Sequence, residues 1–143
     1  MFQFHCFSII VVLLAAMTGC GADNGKFSYQ PVSGTVTMDG EPLANATVAF
    51  VPQSSGLESG RPSTGMTDAS GKFHLQSLGG ENGAVVGDHV VSISTMVVDM
   101  NTQEVTAKET VPLKYNERSE LTFTVPSSGT DTANFDLESK KKR

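Results

Sequence analysis

Short segments in which apolar and polar residues alternate make up most of this chain, and turn-forming residues separate them. Residues 32–38 (VSGTVTM) alternate with a period of two and are rich in β-branched side chains, as β-strands are. Asp39 and Gly40 follow at once, and this pair favours a tight hairpin turn because both residues tolerate a positive φ. We therefore expect residues 46–51 to return as the partner strand, with Phe50 facing a core.

The same alternation continues to the end of the chain. It predicts further strands at residues 64–67, 72–76, 89–94, 121–125 and 132–137. The last two should form a hairpin around residues 127–129, and the polar residues 99–110 should form a loop. No amphipathic helical stretch, internal repeat or second domain is evident. About seven short strands at this spacing predict an all-β fold, a single β-sandwich over residues 31–138.

The first 22 residues carry no charged side chain, although 17% of the whole chain is charged. Residues 7–16 are almost purely apolar, a run too short for a spanning helix, which needs roughly 20 residues, and typical of a secretory signal. Small residues before Cys20 resemble a bacterial lipobox. The resemblance implies a lipoprotein signal peptide at residues 1–19, and a diacylglyceryl group on Cys20 as the mature N-terminus. A non-lipidated signal and an uncleaved anchor are the alternatives.

Residues 20–30 are then the lipidated cysteine and a flexible tether. They are mostly small and polar, and a flexible chain of this length reaches roughly 15–20 Å. The chain has two cysteines, of which Cys6 would leave with the signal and Cys20 would carry lipid. The exported domain would therefore have no thiol for a disulfide, a nucleophile or a metal site.

Four segments carry a resemblance to a known family. They are residues 32–50 (V-x-G-x-V-x-x-D-G-x-P-L-x-x-A-x-V-x-F), 67–75 (T-D-A-x-G-x-F-x-L), 87–93 and 111–116. Together they resemble carboxypeptidase regulatory-like domains, which are transthyretin-like (prealbumin-like) β-sandwiches, including those of small bacterial lipoproteins. The resemblance implies that fold. It implies no shared reaction, since a fold does not determine an activity, and we predict no cofactor.

Acidic and glycine residues in the turns have structural interpretations. Asp39 and Gly40 close the first hairpin. Asp68 should accept hydrogen bonds from backbone amides across its own turn, where Gly71 takes the left-handed conformation. A calcium site needs six to eight oxygen ligands, and the D-x-D-x-D-G spacing is missing. We therefore predict no metal site.

An enzyme would need a set of reactive side chains, and the exported chain has only two histidines, His74 and His89. His74 should point to solvent, because it alternates with inward-facing Phe73 and Leu75. His89 should be half-buried beside Asp88, and such a pair could polarise a serine in a hydrolase. No G-x-S-x-G nucleophile elbow is present, however. We therefore predict a protein without enzymatic activity and keep the hydrolase as a remote alternative.

Binding is the other class of function to consider. The net charge of −5 argues against a nucleic-acid partner, which would need a basic patch. Polysaccharide binding usually relies on exposed aromatic rings. Phe27, Tyr29 and Tyr115 are the candidates, because the other aromatic residues of the exported chain follow strand patterns. Residues 139–143 form a basic tail, either a solvated end or a site of attraction to anionic surfaces.

These observations together predict an exported, lipid-anchored β-sandwich of the cell envelope. Cys20 would attach it to membrane lipid. Gly21 follows in place of the aspartate that retains lipoproteins in the inner membrane of enteric bacteria, which favours the outer membrane. The expected role is an interaction or structural module with an envelope protein as partner. A carbohydrate- or envelope-polymer-binding domain is the alternative.

Overall fold

The computed structural model describes residues 27–53 and 60–139. Within these ranges the chain is all-β, with thirteen short strands and one turn of 3-10 helix at Leu113–Tyr115. The strands are β1 (Tyr29–Gln30), β2 (Ser33–Met38), β3 (Glu41–Pro42), β4 (Thr47–Pro52), β5 (Ser63–Met66), β6 (Lys72–His74), β7 (Gln76–Ser77), β8 (Ala84–Val85), β9 (Gly87–Ser94), β10 (Val97–Val98), β11 (Val105–Ala107), β12 (Thr122–Val125) and β13 (Phe135–Leu137).

One sheet has five strands in the order β12-β9-β4-β5-β7, and all neighbours are antiparallel. Its centre is the long pairing of β4 with β9, which runs from Thr47 opposite Ser94 to Pro52 opposite His89. The predicted strand at residues 64–67 is present as β5. Period-two alternation along β4 and β9 places one set of side chains inward and the other outward.

The second sheet is built around β2. The first half of β2 pairs with β6, and its second half pairs with β3 and, in parallel, with β13. Gly34 is required at the point where β2 meets the segment before β13. A Cβ atom there would lie 2.0 Å from the carbonyl oxygen of Ala133, which no side chain could tolerate.

The two sheets bury one core between them. Phe50 from the first sheet and Phe135 from the second have ring centroids 6.1 Å apart, and Phe123 lies 5.6 Å from Phe50. The buried apolar side chains on the strands of both sheets are Val36, Val48, Phe50, Phe73, Val91, Ile93, Val125, Phe135 and Leu137. The architecture is therefore all-β and sandwich-like, as the alternation predicted.

Two pairing predictions were wrong. Asp39 and Gly40 do join two strands, but the partner of β2 in that hairpin is β3, and residues 46–51 belong to the other sheet. The segment between β3 and β4 changes direction at Asn45, whose φ is 55°. Residues 121–125 and 132–137 likewise form no hairpin, because β12 pairs with β9 while β13 crosses to β2. Both errors concern which strands meet, a non-local property.

Two segments expected to lack regular structure contain strands. Residues 99–110 were predicted as a loop, yet β11 lies within them and pairs with β10. Residues 29–30, the end of the predicted tether, form β1 and pair with β8. The folded part of the chain therefore begins earlier than residue 31.

Candidate functional site

The predicted turn residues lie directly after β2 and directly before β6, and their backbone conformations form the two turns. Asp39 and Gly40 have φ values of 53° and 87°, and the Asp39 carboxylate accepts hydrogen bonds from the amide (3.0 Å) and hydroxyl (2.5 Å) of Ser139. These bonds lower the pKa of Asp39. The Asp68 carboxylate accepts bonds from its own turn, while Gly71 has a φ of 74°. Both carboxylates therefore stabilise the backbone at these turns.

The three aromatic candidates for ligand contact are not free platforms. Phe27, Tyr29 and Tyr115 are all partly buried. The Tyr29 hydroxyl accepts a hydrogen bond from the Arg61 amide at 3.2 Å. The Tyr115 hydroxyl accepts one from the backbone of the C-terminal segment, and the ammonium of Lys114 lies 4.6 Å from the centroid of its ring. A sugar would have to displace these contacts in order to stack on Tyr115.

His89 and Asp88 point to opposite sides of the five-stranded sheet. His89 is only 1% exposed, which corrects the expectation of half burial, and its ring lies 5.6 Å from Phe50. Asp88 is exposed, and its carboxylate accepts a hydrogen bond from the Thr124 hydroxyl at 2.5 Å. Neighbouring residues in a strand face opposite ways, so these two side chains form no catalytic pair. His74 is exposed, as predicted.

The protonation state of His89 follows from its contacts. Nδ1 lies 3.0 Å from the Gly87 carbonyl oxygen, which can only accept, so Nδ1 carries the proton and Nε2 is a bare acceptor. Burial lowers the pKa of His89 below its ordinary 6.5 and outweighs the opposing effects of Gly87 and Asp88. Nε2 is buried without a hydrogen-bond partner among the described residues. The ring is therefore a neutral core group.

The β10–β11 hairpin is the most exposed apolar feature of the described chain, and it was not predicted from the sequence. Its strands pair Val97 with Ala107 and Val98 with Val105. Exposed apolar side chains on and beside it are Met96, Val97, Met100 and Val105. Met100, at the tip, is 81% exposed. Flexible methionine side chains suit surfaces that bind other proteins, so this hairpin is the candidate interaction site.

Polar contacts fix the base of this hairpin. The Glu109 carboxylate accepts hydrogen bonds from the Ser94 hydroxyl at 2.5 Å, from the Thr95 amide and hydroxyl at 3.0 Å each, and from the Val111 amide at 2.9 Å. Burial raises the pKa of Glu109, but the bonds from Ser94, Thr95 and Val111 outweigh it and hold the pKa below its ordinary 4.5. The hairpin therefore leaves the sheet in a defined direction.

The hairpin and the start of the folded chain lie at opposite ends of β9. β1 pairs with β8, immediately before Gly87 at the first end of β9. The hairpin follows Ser94 at the other end, about 25 Å away for eight residues of strand. Near the C-terminus, the Ser139 amide donates a hydrogen bond to the Asp39 carboxylate, which lies at the end of β2 that is remote from β1. The apolar hairpin is thus far from the point where the N-terminal segment joins the fold.

Several predicted features lie outside the described residues. They are the signal peptide at residues 1–19, Cys20, most of the tether and residues 140–143 of the basic tail. Within residues 27–53 and 60–139, no helix is long and apolar enough to cross a membrane. Within the same ranges, no three histidine, cysteine or acidic side chains are grouped so that they could hold a metal ion.

Comparison with known proteins gives a family for the chain. No curated protein and no solved structure matches it. One family profile does, over residues 32–126, which is more than half of the 143 residues. That stretch runs from the residue before β2 to the residue after β12, and it includes the β10–β11 hairpin. The chain therefore belongs to the family described as Domain of unknown function (DUF6795).

Proposed function

We propose that this protein is an exported lipoprotein, anchored through Cys20, that works without catalysis as an interaction module of the cell envelope. Its fold is proposed to be transthyretin-like, and the resemblance to carboxypeptidase regulatory-like domains supports this. The lipobox-like residues before Cys20 and the charge-free N-terminal segment support the anchoring part. The absence of aspartate after Cys20 favours the outer membrane.

The observation that carries the interaction role is the position of the exposed β10–β11 hairpin. A lipid on Cys20 would hold the β1 end of the fold near the membrane, because a ten-residue tether reaches roughly 15–20 Å. The hairpin lies about 25 Å further along β9. Its apolar side chains would then face the envelope space, where a protein partner could cover them.

The contacts of the aromatic side chains favour a protein partner over a polysaccharide. Sugar binding would need a free ring face, and Tyr115, the best candidate, is partly buried beside Lys114. Apolar hairpin side chains such as Met100 instead fit an apolar protein surface. The divergent directions of His89 and Asp88 support a role without catalysis.

Two measurements test this proposal. Mass spectrometry of the protein from membranes should find an N-terminal Cys20 carrying lipid, and Cys20→Ala should release the protein from the membrane fraction. An unmodified Cys20, or an N-terminus elsewhere, would refute the anchoring part.

The interaction part needs a site-specific probe. A photo-cross-linking residue at Met100 should capture an envelope protein in intact cells. The same probe at Leu78 is the matched control, because Leu78 is also apolar and 66% exposed but belongs to the turn after β7. Equal capture at both positions, or capture at Leu78 alone, would contradict a role for the hairpin.

A further inference from the structure

Strand β12 forms one edge of the five-stranded sheet. It pairs with β9 on one side, and no strand among the described residues pairs with its other side. An open edge presents unpaired backbone N–H and C=O groups, which are a template for another strand. Which groups of β12 point outward decides what this edge can bind.

Two independent hydrogen bonds fix the direction of the backbone groups. The Val91 amide donates to the Leu121 carbonyl at 2.9 Å, so Phe123 and Val125 are the next residues that bond to β9. The amide of Gln53 donates to the Asp88 carbonyl at 2.9 Å, which shows that Asp88 directs its backbone toward β4 instead. Bonded and non-bonded positions alternate in an antiparallel pair. The N–H and C=O groups of Thr122 and Thr124 therefore point away from the sheet.

The edge lacks the usual protection. Natural edge strands are guarded by charges, prolines or bulges. The edge strand β3 contains Glu41 and Pro42, and the edge strand β7 has only two residues. By contrast, the ten residues from Leu121 to Thr130 carry no charge, and β12 contains no proline. Threonine, phenylalanine and valine also have high strand propensity.

We propose that β12 pairs antiparallel with β12 of a second copy of this chain, joining the two five-stranded sheets into one. In the register that centres on Phe123, Thr122 lies opposite Thr124 of the partner subunit. Each of these two pairs exchanges two backbone bonds, so all outward groups of both threonines are satisfied. A two-fold axis through this point repeats the contact, as a closed dimer requires.

Charge restricts where a second copy can meet this one, and it opposes the β12 edge least. Two copies of a chain with a net charge of −5 repel each other over most of their surface. The strand β12 has no charged residue, so pairing there brings no like charges directly opposite one another. Threonine pairs across neighbouring strands are themselves favourable.

Hydrogen exchange of the full-length chain tests this directly. In the monomer the amides of Thr122 and Thr124 have no backbone partner among the described residues, whereas in the dimer both are bonded. We expect the peptide covering residues 121–126 to gain protection as protein concentration rises, in step with dimer formation in sedimentation velocity. A chain that stays monomeric, a dimer in which these two amides exchange freely, or protection that does not depend on concentration would each overturn the proposal.

Two lysine variants compare the edge strand β12 with the central strands of the same sheet. The double variant Thr122→Lys/Thr124→Lys places two like-charged pairs in the dimer, and we expect the dissociation constant to rise about tenfold or more. The control Thr47→Lys/Thr64→Lys adds the same charge to the strands β4 and β5, which are not at the edge. Equal weakening by both variants would overturn the proposed pairing.

Discussion

Glu109 should stabilise the fold by far more than an ordinary surface carboxylate. It accepts four hydrogen bonds at the base of the β10–β11 hairpin, two of them from Thr95 and the others from Ser94 and Val111. Replacing it in Glu109→Gln keeps one acceptor oxygen and turns the other into an amide donor. Three of the four bonds, those from Thr95 and Val111, end on Oε1, and the glutamine carbonyl oxygen can keep them. The amide group then replaces Oε2, so the bond that Oε2 accepts from Ser94 is lost, and the other three no longer end on a charged oxygen.

The expected cost follows from one lost hydrogen bond and three weakened ones. A hydrogen bond to a charged group contributes about 1.5–3 kcal/mol, and partial contact with solvent reduces this. For one lost bond and the loss of the charge from three others, we expect Glu109→Gln to lower the free energy of unfolding by about 2–3 kcal/mol. Glu104→Gln is the matched control, because Glu104 is an exposed carboxylate in the same hairpin and its side chain makes no hydrogen bond with any residue of 27–53 and 60–139.

Urea unfolding at several pH values measures both the size and the origin of the effect. The pKa of Glu109 is lower in the folded protein than its ordinary 4.5, so the unfolded chain binds the proton more readily. The stabilisation is then complete above pH 4.5 and is lost as pH falls through the folded-state pKa. The difference between the wild-type protein and Glu109→Gln should narrow in acid. Equal midpoints for the two glutamine variants, or a difference that persists in acid, would refute this reasoning.

Three further predictions concern the core. Gly34→Ala should cost about 3 kcal/mol or more in thermal or urea unfolding, because its Cβ would overlap the backbone of Ala133. Phe50→Ala should cost about 3–5 kcal/mol in the same assay, whereas Val51→Ala, on the exposed side of β4, should cost less than about 1 kcal/mol. Lowering the pH below 6.5 should destabilise the protein until the folded-state pKa of His89 is reached, since the unfolded chain binds that proton first. His89→Phe should remove this pH dependence. If the unfolding free energy of the variant still falls with pH by the same amount, another group causes the dependence.

The side chains that face the core could be predicted from the sequence, because alternation along a single strand is a local property. The inward positions of Val48, Phe50, Phe73 and Leu75 follow from a period of two, and all four are buried. Strand partners could not be found this way. The pairing of β2 with β13 joins residues about 100 positions apart, and no local pattern specifies it.

The β10–β11 hairpin could not be predicted from alternation because its turn uses uncommon residues. Gln103 adopts a φ of 60°, a conformation usually left to glycine or asparagine. The signal that was available is Asp99, whose carboxylate accepts bonds from the amides of Asn101 and Thr102. An aspartate that bonds to the backbone two residues on is typical of such a turn, and Val97 and Val105 flank it at strand positions.

The position of the β10–β11 hairpin depends on the hydrogen bonds of Glu109 more than on apolar packing. A substitution at Glu109 should therefore also affect the proposed interaction. Met100 and Val105 are exposed, so little apolar burial holds the hairpin in place. Glu109 fixes its base to Ser94 instead. Glu109→Gln should therefore reduce photo-cross-linking from a probe at Met100 even where the sandwich stays folded, whereas Glu104→Gln should leave it unchanged. Undiminished capture in the folded Glu109→Gln protein would mean that the partner binds the hairpin whatever its orientation, and that Glu109 contributes to stability alone.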